Sequence, residues 1–310
     1  MKKNVLKSIL LGSAILIILV LIISELLTRR FWFGDYKIYI NEDLKNVSIF
    51  DYRGGEYVEI PTNIGPFNVD YISYHTFEGN ETVSSIYIPS DIDSEVSITI
   101  YNCPNLKRIE FAEGIKIISM DVFECNNLTE LIIPEGVELI NGCFHCESLE
   151  EVSFPDTLKA TGAYYFAGTK FKELHKNDKY YMVGDGVLLF FNGDYDQDIA
   201  IPQGTKCFDN YIDPDDSLPQ RNIYIPETIT TLNTQVYDND TFFFGNGEIE
   251  NLDLDSVDKG VKGTIVAPAN SYMEQYCKEN GYNFRAMTEE EEKEWREKTE
   301  AAASEITYQE

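Results

Sequence analysis

Histidine is nearly missing from this chain of 310 residues: only His75, His145 and His175 occur. None lies in a Ser/His/Asp or Cys/His pattern, and no glycine-rich phosphate loop is present. Catalysis therefore has little footing, and the expectation is a protein that is not an enzyme and needs no cofactor. Basic residues are also scarce, 25 Lys and Arg against 53 Asp and Glu, for a net charge of −28. Nucleic-acid binding rests on phosphate contacts from Lys and Arg, so this balance excludes it. The same balance argues against peripheral attachment to anionic lipid. What the chain does have is 43% hydrophobic residues, enough to build a core.

It also has one phrase written nearly three times. Asn105-Leu-Lys-Arg-Ile-Glu-Phe-Ala-Glu-Gly is followed by Asn127-Leu-Thr-Glu-Leu-Ile-Ile-Pro-Glu-Gly, then by Ser148-Leu-Glu-Glu-Val-Ser-Phe-Pro-Asp-Thr. The apolar residue before the Pro or Ala (Phe111, Ile133, Phe154) recurs after 22 and then 21 residues. Two further signatures travel with it: Val122-Phe123, Cys143-Phe144 and Tyr165-Phe166, and the column Cys103, Cys125, Cys146. A period in the low twenties marks a stacked solenoid of short parallel strands with an irregular convex side. Val83-Ser-Ser-Ile-Tyr-Ile-Pro89 is one step earlier. Ile201, Ile225 and Val266 carry the register onward, with Asn251–Leu254 expected as the strand between the last two. The array spans 57–268 in eight or nine units, a stack about 40 Å long at a strand spacing of ~4.8 Å.

The flanks differ. Ser8–Leu27 is a nearly uncharged run of 20 residues after Lys2, Lys3 and Lys7, long enough to cross a bilayer. No Ala-x-Ala cleavage pattern follows it, so an uncleaved signal anchor over 8–28 is preferred to a cleaved signal. The lysines place residues 1–7 in the cytoplasm and the remainder outside. Residues 31–310 carry 20 basic and 52 acidic side chains, net −32. Residues 31–80 read as an N-terminal cap and divergent first repeat. The hairpin Tyr180–Val183 and Val187–Phe191, turning at Gly184-Asp-Gly186, reads as an insert over 180–194. A helix Tyr272–Glu279, capped by Ser271 and stopped by Asn280-Gly281, closes the array within 269–286. Residues 287–310 read as an acidic segment that is either a solvated helix or a disordered tail.

The pattern Leu-x-x-Ile-x-Ile-Pro-x-x-Val, then Phe, then Asn/Cys-x-x-Leu, resembles the BspA-type bacterial leucine-rich repeat. Asn127–Gly136 carries it best. Asp185-Gly-Val-Leu-Leu before Ile199-Ala-Ile-Pro202 is similar to that family's hairpin insert, and Ser271–Tyr282 to its closing segment. Ala112 in place of Pro and the irregular 94–100 depart from the pattern. The resemblance implies a leucine-rich repeat solenoid that serves as a surface adhesin or binding protein. It brings no catalytic residues. With the N-terminal run, it implies non-covalent recognition of a protein or glycan at the bacterial cell surface. The alternative is a cell-envelope scaffold or a sensor subunit of a membrane complex.

Alternate strand residues point inward, namely Leu106, Ile109, Phe111 and their equivalents, with Phe123, Phe144 and Phe166 expected as a ladder behind. The residues between face out: Ser85/Tyr87, Arg108/Glu110, Glu130/Ile132, Glu151/Ser153, Glu173/His175 and Asn222/Tyr224. Tyr87, Glu110, Glu130, Ile132, Glu151, Ser153, Glu173, His175 and Tyr224 are the candidate ligand-binding residues. Glu130, Glu151 and Glu173 would form a column of like charge, unfavourable unless neutralised. It binds a basic partner or a cation, or it is an ordinary solvated acidic face. Cys143-Phe-His145-Cys146 lacks a second ligand pair and reads as structural. Asp194-Tyr-Asp196-Gln-Asp198 begins like a calcium loop, but Ile199 and Thr205 stand where Gly and Glu belong. Asp213-Pro-Asp215-Asp216 is a second acidic loop. No metal is expected.

Overall fold

The computed structural model describes residues 30–309 except 93–95, 210–219, 236–239 and 256–262. The run Ser8–Leu27 and the loop Asp213–Asp216 lie outside the described residues. Among those described, no helix is long and apolar enough to cross a membrane.

Each repeat turns its Leu-x-x-Ile-x-Ile phrase into a strand of three or four residues. The strand ends near Pro, which cannot donate the next ladder hydrogen bond. Tyr57–Glu59, Ser85–Ile88 and Arg108–Phe111 pair in parallel in that order. Glu130–Ile132 and Glu151–Ser153 form the next parallel pair. Behind them Ile98–Tyr101, Met120–Phe123 and Phe144–His145 form a second parallel sheet. The result is a leucine-rich repeat solenoid of about ten turns. Parallel pairing runs past both ends of 57–268, where Asn46–Tyr52 pairs with Phe67–Ile72 and Asn283–Ala286 with Thr264–Ala267.

The inward ladder confirms Leu106, Leu128 and Leu149, all fully buried. Its aromatic part differs from expectation by one residue. Val122 is the register partner of Phe144, whereas Phe123 is the partner of His145. The buried column is therefore Ile100, Val122, Phe144 and Phe166. Phe123 faces outward and meets the His145 ring edge-on at 5.4 Å. The repeat Phe is not in fixed phase because repeat length varies by one residue. Pairing chooses the side chain that fills the core, and a one-residue slip moves every side chain to the other face.

The cysteine column is buried and its thiols are free. Cys103 Sγ–H donates to the Phe77 carbonyl at 2.9 Å. Burial pushes the Cys207 thiol up to about 12, far from the thiolate form that reacts. Gly142 fits against the same stack: an added Cβ would stand 1.9 Å from the Met120 carbonyl oxygen. Gly142→Ala is therefore expected to destabilise the fold by about 1–3 kcal/mol, read by denaturant unfolding. An unchanged midpoint would show that the stack yields there at no cost.

The hairpin Tyr180–Val183/Val187–Phe191 forms as expected but does not interrupt the stack. Its second strand pairs in parallel with Cys207–Asp209, and the sheet continues through Thr231–Gln235 to Asn251–Asp255. Asn251–Asp255 is thus not the Pro-terminated strand of its repeat. In the sheet of the Pro-ended strands that place is taken by Thr241–Phe244, which Gly245 follows, seated between Asn222–Ile225 and Thr264–Ala267. The cap helix is Tyr272–Asn280, with the Ser271 hydroxyl accepting from the Glu274 amide and Gly281 left-handed at φ 71°.

Of the two forms expected for residues 287–310 the structure has the helix, docked on the solenoid rather than solvated. Glu289–Ala303 is a helix of 15 residues. Thr288 and Glu291 close a reciprocal capping box, and four glutamates in the first turn face the positive end of the helix. Trp295, Thr299 and Ala302, spaced for one helical face, are buried. Ile306–Tyr308 then adds a parallel strand beside Tyr180–Val183.

Candidate recognition surface

Two halves of the Pro-terminated sheet have opposite fates. In the second half the C-terminal helix lies on the strands. Trp295 Nε1–H donates to the Ile225 carbonyl at 2.8 Å. Tyr224, Phe243, Val266 and Trp295 form a buried cluster. The Tyr224 hydroxyl donates to Glu294 at 3.0 Å, and its ring stacks on Phe243 at 5.0 Å. Tyr224 was expected on an open lattice and is only 2% exposed. The helix above it removes it from the candidate surface.

Glu173 and His175 also leave the lattice. Lys170–Leu174 is a short helix capped by Thr169, not a strand. Glu173 pairs with Lys176 on its exposed side. His175 caps that helix, half-buried, with its ring 3.9 Å from that of Tyr181 and Nδ1 2.7 Å from Asp178 Oδ2. The like-charge column is therefore two residues long. Glu130 and Glu151 are side-by-side register partners, both exposed.

The first half stays open. Ser85/Tyr87 lie beside Arg108/Glu110 in register, and Glu130/Ile132 beside Glu151/Ser153. Arg108 and Glu110 pair at 3.1 Å within one strand. Ile132 is 57% exposed, unusual for the middle of a strand. Tyr57 and Glu59 extend this face, in register with Ser85 and Tyr87, and Tyr57 is 56% exposed. The sequence reading omitted them, although Tyr57-Val-Glu-Ile-Pro61 repeats the later phrase. The assembled face runs over two neighbouring parallel groups, of three and two strands, and is mixed in charge, with Tyr57 and Ile132 as its most exposed apolar side chains.

The chemical motifs do not converge. Cys143 is half-buried and its amide donates to Asp121. Cys146 Sγ turns inward to Val122, and the His145 ring meets the Tyr164 carbonyl. Asp194 accepts from Gln197, and Asp198 accepts the backbone and side-chain N–H groups of Asn222. Among the described residues no group of three or more His, Cys, Asp or Glu is placed to hold a metal. A cleft of about 400 Å³ between the hairpin and the C-terminal helix is rimmed by Asp194, Asp198, Glu294 and Glu297. Lys179 and Glu305 close one end of it with an ion pair at 2.9 Å.

Acid should loosen the helix cap. The Arg285 guanidinium, with the Thr288 amide and hydroxyl, holds the Glu291 carboxyl at about 2 against an ordinary 4.5. A depressed folded value means that the ionised carboxylate contributes stability above pH 4.5, and that this is lost as pH falls towards 2. Protease sensitivity near residue 288 is expected to rise through that window and to be flat there in Glu291→Gln. Equal profiles for the two chains would contradict this.

The family match follows the repeats. BspA type Leucine rich repeat region is matched by six copies over residues 46–172 and 141–243, more than half the chain. A comparison with curated proteins finds no match. Among solved structures, a leucine rich cell surface protein from Faecalibacterium prausnitzii is 16% identical, with 87% of this chain and 97% of that one covered and a TM-score of 0.31. A leucine-rich repeat protein from Bacteroides ovatus is 18% identical, with 83% and 67% covered and a TM-score of 0.30. The T. pallidum Leucine Rich Repeat protein is 20% identical, with 46% and 78% covered and a TM-score of 0.32. On its six repeat copies and its parallel solenoid, the chain belongs to the BspA-type leucine-rich repeat family.

Proposed function

We propose that this protein is held at the bacterial cell membrane by residues 8–28, with its repeats outside, and recognises a protein or glycan through the open half of its sheet. The repeat family is one of binding scaffolds, which supports recognition rather than catalysis. The carrying observation is the exposure of Tyr57, Glu59, Arg108, Glu130, Ile132, Glu151 and Ser153 on four strands, with the half-buried Ser85 and Tyr87 on a fifth between them. Equivalent strands further along are sealed by a helix. A rigid, preformed sheet needs no ordering on binding, which lowers the entropic cost. Exposed aromatic and aliphatic side chains among polar ones supply the apolar centre and polar rim that interfaces use.

The test is a binding screen of the full chain in nanodiscs against matrix proteins and glycans. A specific ligand is expected to lose affinity on the order of tenfold or more when Ile132→Lys or Tyr57→Ser is introduced. Glu130→Gln with Glu151→Gln is expected to weaken a basic ligand in particular. Binding that ignores all four changes, yet responds to changes in the cleft beside Asp194, would move the site to the C-terminal helix.

A further inference from the structure

The N-terminal cap carries a second surface that repeat recognition does not use. Arg30–Phe33, Tyr36–Ile40, Asn46–Tyr52, Phe67–Ile72 and Asn63–Ile64 form one five-stranded sheet. One face is core: Ile38, Val47, Ile49, Val69 and Ile72 are buried. The opposite face is aromatic and basic. Arg30 pairs in register with Tyr39, and Trp32 with Lys37. The Arg30 guanidinium lies 4.5 Å over the Phe50 ring, and that of Arg53 lies 4.2 Å over Trp32. Tyr39, Phe50 and Tyr71 run across the sheet with ring centroids 6.5 and 6.4 Å apart. Asp51, the register partner of Lys37, and Asp70, which accepts from Asn41 beside Ser48, are the acids among them. Three cations against two carboxylates is still the reverse of the balance in a chain with 53 acids and 25 bases.

We infer that this aromatic and basic face seats in the headgroup layer of an anionic bilayer and fixes the attitude of the solenoid to the membrane. The inference rests on the anchoring part of the proposed function. Trp, Tyr and Arg side chains have an apolar body and a polar end, which suits them to the water–lipid boundary. The apolar run ends at Leu27, and the first strand begins at Arg30. Three residues reach at most about 10 Å, comparable to the depth of a headgroup layer. A bilayer spanned by that run would therefore meet this sheet before any repeat. The remaining acidic surface is repelled by anionic lipid, so only this face can settle on it.

The experiment uses the full chain in vesicles of phosphatidylglycerol and phosphatidylcholine brominated near the glycerol end of the acyl chains. The chain has two tryptophans. Trp295 is 3% exposed and hydrogen-bonded, and supplies the unquenched baseline seen in Trp32→Phe. The expected result is loss of the Trp32 emission, restored by Arg30→Glu with Tyr71→Glu, while an alkaline wash releases neither protein. Retention through the wash with Trp32 unquenched would overturn the seating and leave the anchor standing. Release by the wash would overturn the anchor, and the seating with it.

Discussion

Trp295→Ala is expected to cost about 3–5 kcal/mol, the range for truncating a buried large aromatic. The indole fills the cluster with Tyr224, Phe243 and Val266. Its N–H also satisfies the Ile225 carbonyl, which would otherwise be desolvated under the helix. Gly245 lies so close that an added Cβ would meet the ring at 2.8 Å, so no neighbour can move in without first displacing backbone. Trp295→Phe keeps most of the apolar area but loses the donor, and is expected to cost about 1–3 kcal/mol. Solenoid stability is a sum over neighbouring turns, so the loss should be local. Hydrogen exchange is expected to rise in Asn222–Ile225 and Thr241–Phe244 while Ile98–Tyr101 and Met120–Phe123 stay protected. A uniform rise would show that the helix holds the whole stack rather than its last turns.

The second large effect is expected at Arg221 and Asp240. Both side chains are 2% exposed. Arg221 Nε and Nη2 donate to the two Asp240 oxygens at 2.9 and 2.8 Å, and Nη1 donates to the Tyr195 carbonyl at 2.6 Å. The pair joins the start of Asn222–Ile225 to the start of Thr241–Phe244, where the sheet registers Asn222 against Thr241. Removing one partner strands the other charge in the interior, so Arg221→Ala or Asp240→Ala is expected to cost about 3–5 kcal/mol. Arg221→Met combined with Asp240→Leu removes both charges and is expected to recover most of that loss. A urea-unfolding double-mutant cycle measures the difference. Additive losses in the double variant would mean that the ions are not coupled to one another.

Much of this fold is legible because a repeat states its own period. The step of 21 or 22 residues, the Leu and Ile alternation and the closing Pro predict a strand in each turn, and most strands stand where that pattern puts them, the helix Lys170–Leu174 being an exception. Ser271 and Gly281 likewise announce the ends of their helix. The last helix was legible too, in the Thr288–Glu291 box and the spacing of Trp295, Thr299 and Ala302. Its docking was not, since a run of acid reads as a solvated helix or a disordered tail. Asn251–Asp255 shows a different limit: alternation predicts a strand but not which of two stacked sheets receives it.

The candidate surface was legible only as a list of outward positions. Alternation predicts that Glu130, Ile132 and Tyr224 all leave the core side of their strands, because the side-chain period of a strand is two. It cannot say what then covers them. Glu173 and His175 fell to a helix because Thr169 caps its amides there, a local choice within an otherwise regular phase. Tyr224 is closed off by a segment 70 residues further on, while Glu130 and Ile132 remain exposed. The sequence alone determined the solenoid, its inward Leu and Ile ladder and its strand polarity, because these follow from near neighbours one period apart. Only the tertiary structure decided which half of the sheet faces solvent, because that depends on where the C-terminal helix docks, a contact between residues far apart in the chain with no repeat to announce it.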